Sequence, residues 1–96
     1  MGMKVPSIRV TPPGPKARAI IALDRRWLAT STKTAPVVVR RAEGAIVEDV
    51  DGNLFIDFSS GVSVLNVGHA HLKVVAAIRR QAGDFTHFAG TDFYYE

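Results

Sequence analysis

His69 and His71 stand two residues apart in Leu65-Asn66-Val67-Gly68-His69-Ala70-His71, and His87 follows further along. Two imidazoles on an extended segment could begin a metal site, because a neutral ring nitrogen binds divalent cations. Such a site needs a third ligand and an open geometry, and no carboxylate cluster accompanies the pair. Helix-capping or structural roles account for the same histidines, so no residue is assigned to a metal. A Ser-His-Asp hydrolase set can be written from Ser60, His69 and Asp57. Nothing around Ser60 resembles a nucleophile elbow, so it assigns no catalytic residue. Neither Gly-x-Gly-x-x-Gly nor a Walker-type loop occurs, and no nucleotide site is visible.

Those residues sit in a segment, 59–71, that the preceding elements must deliver. Val37–Arg41, Ala45–Val50 and Leu54–Phe58 read as three short strands, punctuated by Gly44 and by Asp51-Gly52. Asp-Gly between two apolar runs is a strong hairpin signal, because a tight primed turn needs positive φ at its centre. Leu54, Ile56 and Phe58 share one face at period two, and Phe55 and Asp57 share the other. The small residues Ser59 to Ser63 let the backbone pass close to another object. The sheet is thus a platform, and Ser59–His71 is what it presents. Three strands alone are poorly stable in water and expect a partner surface.

Upstream, residues 1–15 hold four of the five prolines and read as an extended, loosely held arm. Gly14-Pro15 then opens a helix. Its apolar stripe is Ile20, Leu23 and Trp27, flanked by Ile21 and Leu28, with Lys16, Arg18, Arg25 and Arg26 opposite. Residues 30–34 read as a polar linker. A second helix is predicted from Leu72 to Ala82, with Val75, Ile78, Ala82 and Phe85 as its buried stripe and Gly83 just past its end. Four aromatic residues fall within the last nine positions, and such a tail needs something to bury it.

With 96 residues the chain makes one small domain at most. Its apolar content, 47%, is that of a globular protein rather than a disordered one. The absence of cysteine excludes a disulfide scaffold, thiol chemistry and Cys-based zinc sites, and fits a reducing compartment. The net charge of +3 is spread along helix faces, which reads as solvated surface rather than a nucleic-acid footprint. No stretch is long enough to span a membrane, and residues 1–6 lack the apolar core of a signal peptide. The expected address is the cytoplasm.

Several ordered blocks carry a resemblance: Arg41-Ala42-Glu43-Gly44, Asp49-Val50-Asp51-Gly52-Asn53, Asp57-Phe58-Ser59-Ser60-Gly61-Val62 and Leu65-Asn66-Val67-Gly68-His69-Ala70-His71. Together they resemble the N-terminal part of class III aminotransferases, pyridoxal-phosphate enzymes of fold type I that act on ω-amino groups. The opening Pro13-Gly14-Pro15-Lys16-Ala17 and the closing Asp92-Phe93-Tyr94-Tyr95-Glu96 are similar to the archaeal 4-aminobutyrate aminotransferase group. The resemblance implies an α+β segment of helix, three-stranded antiparallel meander and helix, belonging to the small domain of an α/β parent. Residues 1–15 would be the arm and 16–96 the N-terminal part of that domain. The active-site loop would run over 59–71, with the large cofactor-binding domain absent. It further implies that Val62 lines the substrate pocket, where relatives carry Ile or Tyr, that Tyr94 lies near the substrate, and that the parent is a homodimer.

The same resemblance implies transfer of an amino group from an ω-amino acid or amine, such as 4-aminobutyrate, to a 2-oxo acid. Racemases and decarboxylases of the same fold are the alternative. The family's lysine that holds the cofactor, its aspartate facing the pyridine nitrogen and its Gly-rich phosphate turn would all lie downstream. None of Lys4, Lys16, Lys33 or Lys73 stands in that lysine's context, so the chain is expected to be an inactive N-terminal fragment with no catalytic or cofactor-binding residue of its own. One departure is Leu72, where the family commonly has Pro; Leu is a good helix former and keeps the helix. From another class of function, a freestanding basic binding module is the competing expectation.

Overall fold

The computed structural model describes residues 4–28, 33 and 35–96. Of the predicted linker over 30–34, only Lys33 lies within the described residues. The chain forms α1 (Pro15–Trp27), β1 (Val39–Glu43), β2 (Ile46–Asp49), β3 (Leu54–Ile56), a single turn α2 (Ser60–Ser63) and α3 (Leu72–Asp84). The three strands pair antiparallel in sequence order. Helix, three-stranded meander and helix are therefore as the sequence implies.

The element boundaries differ from the expected ones for physical reasons. β1 starts and ends two residues later than Val37–Arg41, because its pairing with β2 runs down to Glu43–Ile46, where Gly44, at φ +56°, makes the turn. The register shifts between Val39 and Arg41, a bulge-type irregularity that absorbs one residue. β2 and β3 are not joined by a two-residue turn at Asp51-Gly52. A longer loop connects them, with Gly52 at φ +84° and its amide donating to the Asp49 carbonyl at 3.1 Å. β3 stops at Ile56 rather than Phe58, since the Asp57 side chain accepts from the amides of Ser59 and Ser60 and bends the chain away. Phe58 is left exposed, as is Ile56, so only Leu54 of that predicted face is buried. Phe55 and Asp57, on the other face, are half-buried.

What holds these pieces is polar. The β2–β3 loop carries Asp49 and Asn53, both buried. Asp49 Oδ1 accepts from the amides of Asp51 at 3.0 Å and Asn53 at 2.8 Å, and its Oδ2 accepts from Asn53 Nδ2 at 2.8 Å. Asn53 Oδ1 accepts in turn from the amides of Arg9 at 2.7 Å and Val10 at 2.8 Å. The arm also pairs with β3, where Ser7 and Leu54 exchange backbone hydrogen bonds of 3.0 and 2.8 Å. The extended arm is therefore tied to the sheet edge rather than loose. Asp51, one residue before Gly52, reaches the start of α1, where its two oxygens accept from Lys16 N at 2.9 Å and Ala17 N at 3.0 Å. A carboxylate there satisfies orphan amides and complements the positive end of the helix dipole. A Cβ on Gly14 would lie 2.3 Å from the Asp51 carboxyl carbon, so a larger residue there would push Asp51 away from the α1 amides.

The apolar stripes of both helices are present but uncovered. Ile20, Leu23 and Trp27 of α1 are exposed, with the Arg26 guanidinium 5.0 Å from the Trp27 ring centroid. On α3, Val75 and Phe85 are half-buried while Ile78 and Ala82 are exposed, correcting the expected buried stripe. α3 also runs through Gly83 to Asp84. Neither helix lays its stripe along the sheet among the described residues. The aromatic tail packs partly on itself, as Phe85–Phe88, Phe85–Tyr95 and Phe88–Phe93 meet edge to face at 6.5, 5.6 and 5.1 Å.

Removing the central amide should show in stability. Asn53→Ala strands one oxygen of the buried Asp49, which costs about 1–3 kcal/mol, and removes the acceptor of the part-buried Arg9 and Val10 amides. A clearly lower urea midpoint at an unchanged m-value is expected, and an unaltered midpoint would contradict the network's role.

Candidate functional site

The presented segment, 59–71, is entered through Asp57. Its amide donates to the Ala45 carbonyl at 2.8 Å, anchoring it to the sheet. Its Oδ1 gathers Ser59 N at 2.8 Å, Ser59 Oγ at 3.0 Å and Ser60 N at 3.0 Å, and its Oδ2 meets His69 Nε2 at 2.6 Å. His69 is itself fixed, because it exchanges two backbone hydrogen bonds with Gly44, of 3.0 and 2.9 Å. A Cβ on Gly68 would sit 2.9 Å from the Gly44 Cα, and Gly68 has φ +86°, so both space and conformation demand glycine.

Between Asp57 and His69 the chain winds the wrong way. Ser60, Gly61, Val62 and Ser63 have φ of 52°, 60°, 65° and 64°, a left-handed turn. Left-handed backbone costs an L-residue about 1–2 kcal/mol, and a β-branched side chain is the least tolerant of it. The turn closes through Ser63 N to the Ser59 carbonyl and Val64 N to the Ser60 carbonyl, both 2.9 Å. It raises Val62 outward, 87% exposed. Strain of this kind at the tip of a presented loop is characteristic of sites held ready for a ligand.

Asp57 and His69 face a small cleft of about 320 Å³, with Gly44, Ser60, Asn66 and Gly68 among its lining. The Asp57 carboxyl is held below its usual 3.8, at about 2, foremost by His69, then by the Ser60 amide and the Ser59 hydroxyl, with partial burial opposing and the Ser59 amide adding. It therefore stays ionised at any ordinary working pH. Of the three residues that a hydrolase would use, the structure joins Asp57 to His69, but no hydrogen bond links the Ser60 hydroxyl to the imidazole. His71 sits at the N-cap of α3 through its backbone. Among the described residues no group of three or more His, Cys, Asp or Glu side chains lies together.

Val62 and Tyr94 line neither this cleft nor the larger groove. Tyr94 is fully exposed and stays out of the aromatic cluster. The larger groove, about 860 Å³ between α1 and residues 35–39, is an uncovered packing seam, bounded by Ile20, Ile21, Val37 and Val39. The basic residues are partly spent: Arg41 pairs with Glu48 at 2.6 Å, Lys33 with Asp24 at 2.6 Å, and Arg18 Nη1 donates to the Pro13 carbonyl. No helix among the described residues is long and apolar enough to cross a membrane.

The sequence profile of the family described as "Aminotransferase class-III" matches residues 28–96. The chain belongs to the class III aminotransferase family. It is 43% identical over 81 residues to an alanine/serine racemase of Pyrococcus horikoshii, covering 82% of this chain and 17% of that protein. It is 47% identical over 78 residues to a 4-aminobutyrate aminotransferase of Mycobacterium tuberculosis, covering 78% of this chain and 17% of the relative. Its fold matches the acetylornithine aminotransferase of Elizabethkingia anophelis with a TM-score of 0.72 at 35% identity, over 83% of this chain and 21% of that one. It also matches an ornithine aminotransferase of Toxoplasma gondii, whose structure reports partial occupancy of PLP at the active site, with a TM-score of 0.71 at 36% identity, over 83% of this chain and 18% of that one. The chain thus spans about a fifth of the length of these relatives.

The described residues do not by themselves fit pyridoxal phosphate. The one cleft at the presented segment is lined by the ionised Asp57 and offers neither lysine nor arginine to a phosphate group. Both oxygens of Asp57 are already committed to Ser59, Ser60 and His69, which leaves it poorly placed to serve a pyridine nitrogen.

The depressed Asp57 carboxyl has a signed consequence. Its contribution to stability is complete above about pH 4 and is lost as pH falls towards 2, because the folded form must then take up a proton that the unfolded form binds more readily. Asp57→Asn should flatten the acid limb of a stability-against-pH curve between those values. A limb as steep as wild type would show that this carboxylate is not the group responsible.

Proposed function

We propose that these 96 residues are the substrate-facing part of the small domain of a pyridoxal-phosphate-dependent aminotransferase. The reaction is transfer of an amino group from an ω-amino acid or amine, such as 4-aminobutyrate, to a 2-oxo acid. The observation that carries the reading is the family match over residues 28–96, which includes the whole Asp57–His71 segment. The 47% identity to a 4-aminobutyrate aminotransferase favours that donor class. Val62, lifted on its left-handed turn, is the substrate-contacting residue, and Tyr94, also free of intramolecular packing, is the second.

The enzyme works as a cytoplasmic homodimer in this reading. The bare stripes of α1 and α3 and the open groove beside α1 are surfaces for the remainder of a protein of the relatives' length and for its twin. The segment alone performs no turnover, since the cofactor-holding lysine is supplied from elsewhere. Of the lysines here, Lys33 is engaged by Asp24 and none borders the cleft.

A second reading has its own support. The 43% identity to an alanine/serine racemase favours proton exchange at the α-carbon of a small amino acid over amino transfer. Purified complete enzyme supplied with pyridoxal phosphate separates the two: amino transfer gives glutamate from 4-aminobutyrate and 2-oxoglutarate, whereas racemisation takes the optical rotation of L-alanine to zero with no oxo acid present.

The role of Val62 is tested by bulk. Val62→Tyr should change the ratio of kcat/KM for 4-aminobutyrate over ornithine by about tenfold or more, the scale at which pocket size discriminates. An unchanged ratio would remove Val62 from the substrate wall.

A further inference from the structure

The left-handed turn Ser60–Ser63 is short and made mostly of residues that disfavour it. Three of its four members are not glycine, and Val62 is β-branched. Its own backbone hydrogen bonds are local, so they do not fix its orientation against the sheet. The orientation comes from one side chain. Asp57 is tied to the sheet by its amide, holds the start of the turn through Ser59 and Ser60 with one oxygen, and reaches His69 with the other. His69 is locked to the β1–β2 hairpin by its double backbone bridge to Gly44, and the close Gly68–Gly44 approach leaves it no room to slide. The two ends of the presented segment, each already tied to the β1–β2 turn through Ala45 and Gly44, also meet directly across a carboxylate–imidazole contact of 2.6 Å.

We infer that Asp57 and His69 form a positioning pair that governs amino-donor selection by holding Ser60–Ser63 left-handed and so aiming Val62 at the substrate. The inference rests on the reading of Val62 as a substrate contact. The pair itself touches no substrate; it acts through the turn. No other titratable side chain lines the cleft that the two residues share. Asp57 keeps its charge throughout the working range because His69 and the turn's own donors stabilise it. Releasing the clamp lets Val62 relax towards the right-handed or extended backbone it prefers, which displaces the side chain.

The test uses the complete enzyme with 4-aminobutyrate, ornithine and 2-oxoglutarate. His69→Ala should raise KM for 4-aminobutyrate about tenfold while kcat stays within about twofold, because a displaced contact weakens donor binding more than the chemistry. Adding Ser63→Gly to His69→Ala should recover part of that loss, since glycine accepts positive φ without serine's penalty and so lowers the strain that the lost contact had to hold. Asp57→Asn keeps an oxygen for the Ser59 and Ser60 amides but removes the charge. It should raise the same KM by about threefold or more, and it carries the test if His69→Ala does not fold. An unchanged KM, a fall in kcat alone, or no recovery by Ser63→Gly overturns the pair's role. If Val62→Tyr alters donor preference while these variants do not, only the positioning inference fails. If Val62→Tyr also changes nothing, the substrate-wall reading fails with it.

Discussion

One buried carboxamide organises this structure. Asn53 joins the β2–β3 loop to the arm through its oxygen and to Asp49 through its nitrogen. Two residues earlier, Asp51 caps α1. The apolar core could not do this, because Ala17 and Leu54 are its only fully buried hydrophobic members among the described residues. Directional hydrogen bonds therefore set the relative placement of arm, first helix and sheet. That choice is stable only if the network is complete, since an unmet buried polar group costs more than a made bond returns. No buried side-chain nitrogen or oxygen among the described residues lacks a partner.

The same device recurs at the presented segment. Asp57 does for the left-handed turn what Asp51 does for the start of α1, collecting backbone amides that would otherwise lie open. The difference lies in what is held. At α1 the carboxylate stabilises a conformation the chain already favours, whereas at Ser60–Ser63 it restrains one that most of those residues resist. A strained, clamped turn on a sheet is a means of presenting a side chain in a fixed direction, which the proposed substrate contact at Val62 requires.

The sequence made some of this legible and concealed the rest for physical reasons. Pro15 marks the start of α1, Gly44 and Gly52 sit at the two turns, and the period-two pattern places three strands, all local signals with local causes. The helix stripes were visible too, but their burial was not, because periodicity reveals which face is apolar and not what covers it. The links from Asn53 to Arg9 and from Asp51 to Lys16 span 44 and 35 residues, and a side chain that bonds a distant amide leaves no periodic trace. Asp57 and His69 stand out in the sequence only through a Ser-His-Asp set that lacks a nucleophile elbow, and the structure joins these two without Ser60. The left-handed turn ran against residue preference at Val62, so no propensity argument could have found it. The blocks around Asp57, Gly68 and His69 did carry the family likeness, and that likeness singled out Val62 at the outward tip of the turn.

Family membership, a wall without a cofactor cradle, and bare apolar faces fit together if this segment completes a pocket whose reactive groups lie in the remainder of a longer enzyme. The most direct measurement is a crystal structure of the complete enzyme with pyridoxal phosphate and an unreactive analogue of the amino donor. The account predicts Val62 in van der Waals contact with the analogue, at about 4 Å, on a turn still left-handed and still tied through Asp57 to His69. Val62 facing solvent, with the analogue bound against other walls, would contradict it.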